Sequence, residues 1–566
     1  VKHLALLTTA ALAAAVLLTP AQAEACGGLF CDGGPQPMPV DQTGEDVLFV
    51  TSEPGKVEVH IRIQYEGAAE QFAWVIPMQS LPTDFAVGNE QLFENIKNAT
   101  VPQYGFSRSF DTCESPDDAA DGGQGLTGGS AAPEDSGGSD TDAGGDTGGP
   151  TIFVQTQVGA FEITVLGDGT AQEVVDWLDM NGYQQDDEAL PIIEEYLQEN
   201  HLFAAIKLTG GADVDEIHPI ALQFDHPEPC VPLKLTRIAA VDDMEVRTYF
   251  LSNQRVVPMN YRHVLVNPLK IDWPNQAANY KEVITGAVDE EMADGRAFVT
   301  EYAGPTNVVA DFDIDNPAWD ATAFEGTTPI EAVQELKNQG LVLCTDYDPC
   351  QTTHQLLDGI VQQHIVLDAS VSWEQFYECP DCYEAAVDQT AWDATAFATT
   401  LNDRIFAPAE HAVALLQQNS YLSRMYTVIS PHEMTEDPMF HQNPDLGDVP
   451  NVRSAAQRIL CSGHSVWTLP DGREVFVAAG SLWPEFPDLP WAEEVQETPN
   501  AGAEMILVDN TDLINERLAE YNAEATPEEP SLVGGCGCTT SRRNSAALWS
   551  TLALLGLVAL RRRRRA

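Results

Sequence analysis

Polar and apolar positions alternate in short runs through the first 300 residues. Val57, Val59, Ile61 and Ile63 interleave with Glu58, His60, Arg62 and Gln64, the period-two pattern of a strand with one buried and one solvated face. Runs at 46–52 and 71–78 also read as strands, with Gly55 and Gly67 marking turns. Over 89–99 the period changes, and Leu92, Phe93 and Ile96 share one helical face. Residues 152–166 read as a strand. Helices follow over 170–180, with Val174, Val175 and Leu178 inward, and through Ile192, Ile193, Tyr196 and Leu197. Further strands are expected at 202–209, 220–224, 245–251, 262–266 and 297–302, with a helix at 277–288. Strands and short helices are interspersed without a regular strand–helix–strand rhythm, which predicts a strand-rich α+β fold.

The second half contains an internal echo. Ala318-Trp319-Asp320-Ala321-Thr322-Ala323-Phe324 recurs as Ala391-Trp392-Asp393-Ala394-Thr395-Ala396-Phe397. Each copy precedes a helical stretch (330–338, 410–417) and an apolar run (341–344, 421–429). The pattern fits a duplicated helix-then-strand unit, and it equally fits a Trp and a Phe, five residues apart, burying twice. Residues 466–469 and 474–477, joined through Pro470-Asp471-Gly472, read as a hairpin. By contrast, 114–150 is Gly, Asp and Ser with nine acidic residues, no basic ones and almost nothing apolar. Such a composition cannot build a core, so the segment is expected to be a disordered insertion. Asp140, Asp142 and Asp146 hint at a calcium loop, but Gly144 stands where a ligand is needed and no closing Glu follows.

The ends carry addresses. Lys2 and His3 precede an apolar run at 4–18 and an Ala21-Gln22-Ala23 cleavage motif, so 1–23 reads as a signal peptide cut after Ala23. A lipoprotein with Cys26 as the lipidated residue is the weaker alternative, because Ala23 and Glu24 do not match a lipobox. Residues 544–560 are uncharged and apolar, and as a helix they would span roughly 25 Å, close to a bilayer's hydrocarbon thickness. Arg561 to Arg565 would hold the cytoplasmic side.

Charge narrows the partners. Eight of the 28 basic residues lie in the leader or from Arg542 onward, and none of the 87 acidic ones does, so 20 basic residues face 87 acidic ones in the body, a net charge of −67. That surface repels nucleic acid and anionic membranes. It suits a salty medium or divalent cations. Eleven cysteines in a chain with an export signal point to disulfides. The spacings suggest Cys26–Cys31, Cys344–Cys350 and Cys379–Cys382, with cross-pairing among the last four also open. Cys379-Pro380-Asp381-Cys382 could instead serve a zinc or redox site. One of the nine body cysteines must be left over.

The residues Ala25-Cys26-Gly27-Gly28 through Cys31, Phe72-Ala73-Trp74-Val75-Ile76-Pro77, Leu92-Phe93, Asp272-Trp273 and Phe298-Val299-Thr300-Glu301-Tyr302 together resemble the bacterial family called domain of unknown function 2330, over roughly 25–345. The resemblance implies an exported protein and supplies no catalytic residues. The tail, Gly535-Cys536-Gly537-Cys538, then 546–560, then the arginines, resembles the myxobacterial C-terminal sorting signal. That implies processing near Cys536 and Cys538 and anchoring at the cell surface, through the helix or through a lipid after processing. The expected organisation is a signal peptide (1–23), a strand-rich family domain (24–113 and 151–310) split by the insertion, a second α+β region (311–530) and the sorting signal (531–566).

The chain lacks a nucleophile elbow, a Walker loop and a dinucleotide fingerprint. His432-Glu433-Met434-Thr435-Glu436 with His441 is the nearest approach to a metalloprotease motif, but Glu436 stands where the second histidine belongs, and Pro431 and Pro438 leave little room for a helix. His218-Pro219 and His226-Pro227 read as surface turns. The expected function is a non-enzymatic binding or structural ectodomain that needs no cofactor and takes a surface polymer, a protein or divalent cations. The alternative is an exported metal-dependent hydrolase built on His432, Glu433, Glu436 and His441.

Overall fold

The computed structural model describes residues 31–32, 41–66, 73–112, 149–184, 189–209, 216–225, 228–238, 240–345 and 349–526. The signal peptide, nearly all of the acidic insertion with its calcium-like aspartates, Cys26, His226, the sorting cysteines and the apolar tail lie outside these residues. Among the described residues no helix is long and apolar enough to cross a membrane.

Mixed α+β architecture follows from the period-two runs. Ten strands form one sheet in the order Met505–Asp509, Ala492–Glu497, Arg262–Val266, Ala297–Pro305, Tyr421–Ile429, Ala240–Ser252, Asp41–Val50, Lys56–Glu66, Ile220–Asp225 and Asp84–Val87. Arg262–Val266 runs parallel to Ala297–Pro305, and Ala240–Ser252 parallel to Asp41–Val50. The other neighbours are antiparallel. Strands from both sides of residue 310 therefore share this sheet, since Tyr421–Ile429 sits at its centre.

Two smaller sheets attach to it. Ala73–Met78, Leu202–Leu208, Phe161–Gly167 and Thr151–Val158 make an antiparallel four-stranded sheet. It is covered by the helices Ala171–Met180 and Ala189–Gln198 through Val174, Leu178, Ile193 and Tyr196. Thr170 and Glu173 form a reciprocal cap at the start of the first helix, which satisfies donors the helix cannot bond itself. Glu474–Val477, Ser465–Thr468, Val452–Ile459 and Gln103–Phe110 make the other, which packs with Trp273 and the helix Thr511–Ala525.

Several elements differ from the sequence reading. The expected strand over 152–166 is two strands joined by a turn at Gly159, which has φ +57°; a turn through Val158-Gly159-Ala160 carries little turn signature. The echoed motifs start different structures. Asp320 caps a 3-10 turn, Ala321–Phe324, and Asp393 caps an α-helix, Ala394–Leu401. After the first copy the apolar run gives only a two-residue strand, Val342–Leu343. What the copies share is burial: Phe324 and Phe397 are fully buried and meet edge to face at 5.6 Å.

Candidate functional site

The strand Lys56–Glu66 is where the sequence reading and the structure diverge most usefully. Val57, Val59 and Ile61 enter the main core as expected. The alternate positions do not face solvent: His60 is 2% exposed and Arg62 7%. Two helices, Glu90–Thr100 and Ala407–Gln418, cover that side, packing Leu92, Ile96, Val413 and Leu416 against Leu48, Tyr249 and Leu422 of the sheet. Alternation reports the chemistry of a strand's faces and says nothing about what lies over them.

Burying this polar row requires partners. Arg62 donates to Asp46 Oδ2 at 2.5 Å and to Glu90 and Glu94 at 2.6 Å each, with its guanidinium 5.1 Å from the Phe93 ring centre. Burial opposes its charge, and the Asp46 and Glu90 carboxylates more than offset that. On the same strand face, Glu58 Oε1 meets two imidazoles: His60 Nε2 at 2.6 Å and His411 Nε2, from the helix Ala407–Gln418, at 2.5 Å. Gln223 Nε2 lies 3.4 Å from the other Glu58 oxygen. Burial alone would raise the Glu58 carboxyl, but the hydrogen bonds from His411 and His60 hold it well below the usual carboxylate range. Among the described residues, Glu58, His60 and His411 are the one group of three His, Cys, Asp or Glu side chains whose ligand atoms all lie within 4.8 Å of one another.

A second feature is an aromatic groove of about 870 Å³. One wall is the strand pair Gln103–Phe110 and Val452–Ile459, with Trp467 from the adjoining strand Ser465–Thr468. The other is the loop 478–491, which brings Trp483, Phe486 and Trp491. Phe106 and Trp467 lie 4.7 Å apart, Trp467 and Trp483 5.7 Å. Trp483 is fixed by its indole N–H donating to the Leu269 carbonyl at 3.1 Å. Trp491 lies against Gly286, where any Cβ would strike its ring. Arg108 and Lys270 supply cationic groups, Asp272, Glu282 and Glu485 anionic ones, and Asn275 and Gln457 neutral amides.

The hydrolase cluster does not assemble. Residues 431–433 form a turn instead of a helix, and Pro438 would stop any helix within two turns. The His432 side chain is 80% exposed. Glu433 accepts from the Ser430 backbone N–H at 2.7 Å, Glu436 pairs with Arg296 at 3.1 Å, and His441, on the separate strand Phe440–Gln442, has Nε2 2.9 Å from the Thr498 carbonyl. The reading of His218 as a surface turn is also corrected. It is 4% exposed, with Nδ1 2.7 Å from the Pro219 carbonyl and Nε2 accepting from the Ala160 N–H at 3.2 Å. It is a satisfied core imidazole.

Disulfides join Cys344 to Cys350 and Cys379 to Cys382, which takes the thiols that a zinc site there would need. Cys461 is also disulfide-bonded, and Cys230 is free. Cys31 lies in the short strand Cys31–Asp32; its expected partner, Cys26, lies outside the described residues. The sequence reading missed His411, which is 353 positions from Glu58 and carries no local signal. The loop 481–491, where Trp483, Phe486 and Trp491 alternate with three prolines, does carry a local signal.

The family described as "Uncharacterized protein conserved in bacteria (DUF2330)" matches residues 20–408. No curated protein matches. A solved structure of a mutated baculovirus P35 after caspase cleavage aligns over 40% of this chain and 78% of its own, at 9% identity and a TM-score of 0.22.

Proposed function

The chain belongs to the DUF2330 family of proteins conserved in bacteria, and on that premise we propose that it is an exported, surface-anchored ectodomain that binds a neutral polysaccharide and performs no catalysis. The groove carries this reading. Partly exposed rings of Phe106, Trp483, Phe486 and Trp491 offer flat apolar faces for sugar rings, while amides and charged groups at the rim bond hydroxyls, the usual division of labour in a binding cleft. The net charge of −59 disfavours polyanionic occupants. The leader, the disulfides and the Cys–apolar–Arg tail support export and anchoring.

Affinity electrophoresis through gels containing neutral glucans, galactans or mannans tests the binding. At least one should retard the protein, an anionic polymer such as alginate should not, and Phe486→Ala or Trp483→Ala should abolish the retardation. A protein retarded by none of the neutral polymers, or retarded equally after both substitutions, would contradict the reading.

A further inference from the structure

Independently of the groove, we propose that Glu58, His60 and His411 bind one divalent first-row transition-metal ion. Three donor atoms already converge: both imidazole Nε2 atoms lie on Glu58 Oε1, at 2.6 and 2.5 Å. Such distances are hydrogen bonds. An ion with bonds of about 2.0–2.1 Å in tetrahedral geometry needs ligand atoms about 3.3 Å apart, so each imidazole must move less than about 1 Å away from Glu58 Oε1, and all three ligand atoms already lie within 4.8 Å of one another.

The scaffold divides that task. Glu58 and His60 are two apart on one strand and are held on both sides by sheet pairing, opposite Val50 and Leu48 on one neighbour and Gln223 and Ala221 on the other. His411 comes from a helix and its side chain is 39% exposed. Two ligands are therefore fixed and the third can swing outward. The exposed side also leaves coordination positions for water and a route of entry.

Ion binding requires a change of tautomer. To donate to Glu58, His60 must carry its proton on Nε2; to bind an ion there, it must carry it on Nδ1. His60 Nδ1 is buried and has no hydrogen-bond partner, so moving the proton sacrifices no existing bond on the far edge. Gln223 can steady the Glu58 carboxylate through its second oxygen, as outer partners do around metal ligands.

The donor set names the class of ion. Two imidazoles and one carboxylate suit zinc, cobalt, nickel or copper, whereas calcium and magnesium prefer all-oxygen sites. A highly acidic surface binds divalent cations diffusely, so the test must separate that background. Chelator-stripped protein is dialysed against zinc in about 150 mM salt with millimolar calcium and magnesium, which screens and occupies surface carboxylates. One equivalent should be retained. His411→Ala, at a half-exposed position, should lower zinc affinity at least tenfold, and so should Glu58→Gln, each variant being compared on protein that keeps a cooperative melting transition in the metal-free state. Cobalt(II) in place of zinc should give visible absorption typical of four- or five-coordinate nitrogen and oxygen ligation. Zinc retention unchanged by His411→Ala, or no retention above calcium competition, would overturn the proposal. In the wild-type protein, zinc should also raise the melting temperature where calcium at equal concentration does not; equal shifts would count against it.

Discussion

Arg62 shows what burying a charge demands. It is tied to three carboxylates, and Asp46 is fully buried with it. Removing the guanidinium leaves Asp46 in the interior with much of its compensation gone, a change that costs about 3–5 kcal/mol in such settings. Arg62→Ala should therefore lower unfolding free energy by that order in urea titrations, and a loss under about 1 kcal/mol would mean that water reaches the row. His218 and His263 present the neutral counterpart. Both rings use one nitrogen near a carbonyl-type oxygen and the other to accept a backbone N–H, from Ala160 and Thr300 respectively. Burial brings both down to about 4. Because the folded value lies below the unfolded one, each contributes stability that is complete above about pH 6.5 and is lost as pH falls through about 4. Histidine carbon resonances from these two rings should stay in the neutral form at pH 5; midpoints near 6.5 would contradict their burial.

Elements with strong local patterns are legible in the amino-acid sequence alone. The 466–477 hairpin follows from alternation around a Pro-Asp-Gly turn, and its pairing puts Val466 opposite Phe476. The helix Glu90–Thr100 starts where Asn89 caps it, accepting from the Leu92 N–H. Tyr421–Ile429 is evident as an apolar run, although its place between Ala297–Pro305 and Ala240–Ser252 depends on pairings more than 100 residues away. The polar row of Lys56–Glu66 cannot be read as buried, because its cover comes partly from a helix near residue 410. The candidate metal ligands illustrate the same limit: a Glu and a His two apart on a strand are visible, and the His411 that completes them is not. The groove depends on an element contact of this kind. Gly286, on the helix Tyr280–Val288, leaves the room that Trp491 fills. Gly286→Ala should push Trp491 out of place, shifting its fluorescence toward the red and weakening any groove ligand. Emission and binding identical to wild type would show that the close packing is not required.

At the scale of the whole molecule, the proposal is one of export and display. The proposed export rests on a body carrying −67, disulfides at Cys344–Cys350 and Cys379–Cys382, a leader-like sequence at 1–23 and an Arg-ended apolar tail; outside the cell thiols oxidise and salt screens self-repulsion. The described residues up to Ala525 form one compact unit. The claim that it is displayed there is tested most directly by locating the protein with and without residues 545–566. Full-length protein on intact cells should be accessible to added protease, and the truncated form should appear in the medium, folded and lacking residues 1–23. Full-length protein shielded from protease on intact cells, or truncated protein that stays fully with the cells, would contradict the account.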